Sequence, residues 1–129
     1  MTLEKLPDLD PIQIQLLSHL VPAEQALSDL EWQPFHAGVK IHRFYGDGIS
    51  GPSAALIQYE AGASIPHHTH SGYEHIYILC GSQEDQRGVY TAGMLVINPP
   101  GTSHSVSSQK GCLVLAIYVK PVVFTQAGD

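Results

Sequence analysis

From Val39 onward the apolar residues of this chain come only in short stretches, each cut off by Gly, Pro, Ser or Asp. Val39–Tyr45, Ala54–Glu60, Glu74–Cys80, Val89–Tyr90, Met94–Ile97, Ser103–Ser107 and Leu113–Val119 are the stretches. Gly46-Asp47-Gly48, Gly62, Ser71-Gly72, Arg87-Gly88, Pro99-Pro100-Gly101 and Lys110-Gly111 punctuate them. Short runs bounded by turn formers read as strands. No helix of three turns fits after residue 38, and many closely spaced strands predict a sandwich or barrel.

Residues 1–38 differ. They hold Pro7, Pro11, Pro22 and Pro34 with short apolar stretches between. Ile12–Leu20 reads either as one or two helical turns, with Asp10 as N-cap and Pro11 at the first helical position, or as a strand, because Ile12, Ile14 and Leu16 alternate with Gln13 and Gln15. In both readings residues 1–30 form a short N-terminal arm and residues 31–129 the β-rich body. No internal repeat or low-complexity tract interrupts that division.

A chain of 129 residues is one domain, and 43% hydrophobic against 14% charged residues argues for a packed core. The net charge is −6 and Arg43 and Arg87 are the only arginines, so no basic stripe for nucleic acid exists. The acidic start MTLEKLPDLD lacks the basic and apolar regions of a signal peptide, and the apolar run Cys112–Val119 is too short for a bilayer. A cytoplasmic protein is expected. Cys80 and Cys112 form no C-x-x-C pair and read as small buried hydrophobes.

The chemistry concentrates in Gly62–Gly81, GASIPHHTHSGYEHIYILCG. His68 and His70 are two apart, so a strand turns both to one face and lets them converge on one ion. Glu74 follows a Ser71-Gly72-Tyr73 turn and shares its face with Ile76 and Ile78. A carboxylate aimed into an apolar barrel is costly without a cation beside it. In Gly93–Ser108, Met94–Ile97 reads as a strand, Pro99-Pro100-Gly101 as a tight turn, and His104 opens the returning strand. That hairpin can set His104 opposite His68, His70 and Glu74. Three imidazoles and one carboxylate suit one divalent transition metal (Fe, Zn, Mn, Ni or Cu) and leave positions open for a small-molecule ligand or substrate. The lack of a thiolate ligand argues against a closed structural zinc site. His19, His36 and His42 read as ordinary surface or core residues. Strand parity turns His67 and His75 away from the site. Tyr59, Ile76, Ile78 and Tyr118 are candidate wall residues by the same parity.

These spacings resemble the two cupin motifs. The first runs Gly62, five residues, His68-Thr69-His70, three residues, Glu74, six residues, Gly81; the second runs Gly93, five residues, Pro99, one residue, Gly101, two residues, His104. Only the usual closing Asn of the second motif is replaced, by Ser108. The resemblance covers roughly residues 31–124 and implies an all-β, double-stranded β-helix (jelly-roll) barrel, metal ligands His68, His70, Glu74 and His104, and a homodimer. Trp32-Gln33-Pro34-Phe35, Gly38-Val39, the Asp85–Tyr90 turn and Asn98-Pro99-Pro100-Gly101 look like the cupin domain of ChrR-type anti-sigma factors and of acetylacetone dioxygenase-like cupins. Those anti-sigma factors carry an N-terminal zinc-binding helical domain with His and Cys ligands. Residues 1–38 hold no Cys and two His, so the sigma-binding part is expected to be missing. A metal-dependent enzyme of dioxygenase type is therefore the first expectation, and a ChrR-like sensing module the second.

Overall fold

The computed structural model describes residues 29–125. The readings of Ile12–Leu20 and His19 lie outside them. Ten strands make up the described body: β1 (Gln33–His36), β2 (Val39–Tyr45), β3 (Ser53–Tyr59), β4 (Ala63–Thr69), β5 (Glu74–Asp85), β6 (Gly88–Thr91), β7 (Leu95–Asn98), β8 (Ser103–Ser108), β9 (Cys112–Tyr118) and β10 (Val123–Phe124). The fold is an all-β jelly roll.

Every pairing is antiparallel. The order runs β1-β2-β3-β9-β5-β8-β4-β10, with β6 and β7 also paired to β5. Alternate residues face inward, as a two-residue period requires: Val39 and Ile41 on β2, Ala55, Ile57 and Tyr59 on β3, Ile76 and Ile78 on β5, Val114 and Ala116 on β9. β-Branched side chains dominate this interior because they pack well on a pleated surface.

β5 curls the sheet. Glu74–Tyr77 lies between β7 and β9 and the β9 pairing continues to Gly81, whereas Ser82–Asp85 pairs with β6 and Glu84 with β8. The change falls at Gly81, whose φ is +76°. A Cβ there would strike the backbone carbonyl of Gly111, so only glycine lets β5 and β9 approach this closely.

The seven stretches read from the sequence are all strands, with ends shifted by a few residues. The apolar pattern does not predict β1, β4, β10 or the length of β5; the spacing of His68 and His70 alone calls for a strand where β4 lies. Cys80 departs from expectation as well: Cys112 is buried but Cys80 is exposed. A bulge between Ile78 and Cys80 in the β5–β9 pairing breaks the alternation and turns Cys80 outward.

Candidate metal centre

Three strand ends and one turn build the site. His68 stands on β4 directly opposite His104 on β8. His70 follows β4, where its amide donates to Thr102 O at 2.8 Å and its carbonyl accepts from Gly101 N at 2.8 Å. Glu74 begins β5, paired with Asn98 on one side and Tyr118 on the other. One nitrogen or carboxylate oxygen from each of His68, His70, Glu74 and His104 lies within 4.8 Å of the other three. The four residues are buried. The structure thus gathers the four residues that the motif spacing selects.

Each imidazole is oriented by its far nitrogen. His68 Nδ1 donates to Pro66 O at 2.8 Å. His70 Nδ1 donates to Thr102 O at 3.1 Å and to Thr102 Oγ1 at 3.0 Å. The Thr102 hydroxyl gives its own proton to Pro99 O at 2.6 Å, so it must accept from His70. His104 Nδ1 donates to Asp85 Oδ2 at 2.9 Å. A neutral imidazole has one N–H, so all three rings present a bare Nε2 to the interior. His70 Nε2 and His104 Nε2 are buried with no hydrogen-bond partner. His70 Nε2 lies 3.0 Å from Glu74 Oε1 without hydrogen-bond geometry. Two lone pairs therefore face each other across a van der Waals gap, an arrangement that a cation between the donors would relieve. Burial lowers the pKa of both His68 and His104, keeping them in the neutral form that a metal needs.

A second layer ties the clustered residues together. Asn98 Nδ2 donates to Glu74 Oε1 at 3.3 Å, and Arg87 Nη2 donates to Asn98 Oδ1 at 3.0 Å. The same Arg87 nitrogen is 3.5 Å from Asp85 Oδ2. Asp85 also accepts from Tyr90 OH and from the Arg87 amide, each at 2.8 Å. Burial pushes the Asp85 carboxyl up, but the bonds from His104, the Arg87 amide and Tyr90 outweigh it and bring its pKa down to about 2. One polar chain, His104–Asp85–Arg87–Asn98–Glu74, thus joins two of the four clustered residues. The sequence reading missed all three connectors, because β5 had to be followed past its bulge before Asp85 could be placed inward.

Under the cluster lies a cavity of about 50 Å³ lined by His68, Glu74 and His104 together with apolar side chains such as Ile57, Ile65 and Val106. Tyr59, Ile76 and Tyr118 line it as expected. Ile78 does not: it is fully buried in the packed core farther along β5. Gln83, also absent from the sequence reading, lines the cavity and donates from Nε2 to Tyr59 OH at 3.1 Å. Burial raises the Tyr59 phenol far above its ordinary pKa, so it stays protonated. The remaining described histidines stay out of the cluster. His67 bonds Thr125 Oγ1 at the surface. His42 packs near Phe44, His36 against Phe35 and Phe124. His75 lies on the opposite face of β5 from Glu74 and Ile76.

The barrel and its three-histidine, one-glutamate cluster define a cupin with a candidate metal centre. The family model for the ChrR cupin-like domain matches residues 23–122, and the chain belongs to that family. Among curated proteins none matches it. Solved structures share the fold. An RmlC-like cupin protein from Ralstonia eutropha JMP134 is 24% identical with a TM-score of 0.69, over 79% of this chain and 71% of that one. An acetylacetone dioxygenase from Acinetobacter johnsonii is 17% identical with a TM-score of 0.67, over 74% and 72%. The complex of Rhodobacter sphaeroides SigE with the anti-sigma ChrR contains a chain 23% identical with a TM-score of 0.66, over 89% and 71%.

Proposed function

We propose that His68, His70, Glu74 and His104 hold one divalent transition metal ion, and that the chain is a small-molecule metalloenzyme of dioxygenase type. The observation that carries the metal reading is His70 Nε2, unprotonated, buried and without a hydrogen-bond partner, 3.0 Å from the carboxylate oxygen Glu74 Oε1. The donor set fits Fe, Mn, Ni, Cu or Zn, and such an ion, when bound, supplies Lewis-acid polarisation of substrate oxygens and, if iron, activation of dioxygen. The chain's own residues do the rest. Asp85, Thr102 and Pro66 fix the imidazoles, Asn98 steadies Glu74, and the apolar walls exclude water from the cavity. Because the cavity opens onto the cluster, catalysis is favoured over a purely structural ion.

The test is oxygen consumption by the iron-loaded protein over a panel of small diketones and phenols. Turnover supports the enzyme; full iron occupancy with no turnover on any member counts against it. A second reading rests on the family itself: a ChrR-like module that senses a metal or ligand and docks on a protein partner. Retention of a specific partner in a pull-down, with no turnover, would favour it. We also place the chain in the cytoplasm and expect a homodimer. Tyr77, Leu95, Ile97 and Ile117, all at least 39% exposed, adjoin one another on the outer face of β7-β5-β9 and supply an apolar patch for a second copy. Light scattering giving the monomer mass would remove that expectation.

A further inference from the structure

Tyr118 stands at the cluster end of the cavity. β9 holds it opposite Glu74 on β5, where facing side chains stand about 5 Å apart at Cβ, and it lines the same cavity. Its phenolic oxygen is 3.1 Å from Arg43 Nη1. A guanidinium can only donate, so Tyr118 is the acceptor and keeps its own proton to give. Among the described residues Tyr118 has no acceptor for that proton, and the cavity lies beside it.

Arg43 is as unusual as Tyr118. Its hydrogen-bond acceptors are neutral: Tyr118 OH and, at 3.4 Å, Ser53 Oγ, whose proton goes to Tyr45 O. No carboxylate forms an ion pair with Arg43 among the described residues; Asp47, at the surface, feels its charge only weakly. The guanidinium also lies 6.0 Å from the ring of Phe35, another wall residue. Asp85, by contrast, is matched by Arg87. A divalent ion on one glutamate leaves one positive charge at the cluster, and Arg43 adds a second behind Tyr118. A half-buried excess of positive charge, with a phenolic proton to donate, is complementary to an anionic oxygen. The cavity of about 50 Å³ admits only a few heavy atoms, since one water needs roughly 10–15 Å³.

We propose that the site takes a small organic monoanion, a short carboxylate, whose charged oxygen meets the cluster and accepts a hydrogen bond from the Tyr118 hydroxyl, with Arg43 polarising that phenol from behind. This deepens the metalloenzyme reading and rests on its metal.

The full chain is loaded with zinc, which is redox-inert, and its metal content is measured first. Calorimetric titration then compares propionate with propanamide, a neutral molecule of the same shape. Wild type is expected to bind propionate and not the amide. Tyr118→Phe, which keeps the ring, and Arg43→Met are each expected to keep their zinc and lose about tenfold or more in propionate affinity, the size of a hydrogen bond to a charged group. Zinc at full occupancy with no propionate binding, with equal binding of the amide, or with a smaller loss in Tyr118→Phe overturns this proposal alone. If Arg43→Met unfolds, Tyr118→Phe decides by itself. Failure of wild type to take up zinc overturns the metal reading, and this proposal falls with it.

Discussion

His70 shows how one ring can commit a site. Thr102 takes the Nδ1 proton through both its carbonyl and its hydroxyl, and the hydroxyl is itself locked on Pro99 O. The other nitrogen is thereby left without a proton beside a carboxylate. Asp85 does the same for His104, and does it with a full charge, which raises the basicity of the imidazole it holds. Asp85→Asn preserves the shape but removes that charge. It is expected to fold normally and to weaken metal binding about 10–100-fold, as read by competition with a chelator; unchanged affinity would show that Asp85 is packing only. Tyr59 and Gln83 form the other buried polar pair. Tyr59→Phe leaves Gln83 Nε2 without its partner in the core and is expected to cost about 1–3 kcal/mol in urea unfolding. The four clustered residues were legible because their spacing within each segment is local, two residues apart and then three across a turn in the first, and a turn at Pro99-Pro100-Gly101 before His104 in the second; the hairpin expected at that turn does not form, since β7 pairs with β5 and β8 with β4. Asp85, Arg87 and Asn98 were not, because what joins them is the pairing of β5 with its neighbours, which no single stretch of sequence displays.

At the scale of the element, β5 decides the geometry. It carries Glu74 at one end and Asp85 at the other, and it changes neighbours at Gly81. The alternation of Glu74, Ile76 and Ile78 predicts the inward face correctly up to the bulge. Beyond it the parity slips, and Cys80 comes to the surface while Cys112 stays buried. Burial pushes the Cys112 thiol up to about 11. A thiol reagent at pH 8 is therefore expected to modify one cysteine of the folded chain, Cys80, as mapped by peptide mass spectrometry; prompt modification of Cys112 under native conditions would contradict the bulge. Gly81→Ala is expected to destabilise the fold by about 2 kcal/mol or more, since a side chain at its positive φ is strained and meets backbone. β1 and β10 escaped the sequence reading because they are short edge strands of four and two residues, with too few inward positions to show a period.

For the molecule as a whole, the jelly roll brings together strands far apart in sequence so that β4 with the turn after it, β5 and β8 bring the four clustered side chains to one place. The two arginines, sparse in an acidic chain, both sit near that place. Arg87 closes the polar chain between Asp85 and Asn98, and Arg43 backs Tyr118. An ion bound by the native state alone stabilises it, so the chelated protein is expected to melt below the metal-loaded one in a thermal scan; equal melting temperatures would mean that the four residues do not share an ion. The most direct measurement is elemental analysis of the purified protein, wild type beside His70→Ala. Near-stoichiometric iron, manganese, nickel, copper or zinc in the wild type, lost in His70→Ala, is the predicted result. A wild type that holds no such metal, and takes up none on reconstitution, would contradict the metal centre and leave a cupin barrel whose buried donors serve another purpose.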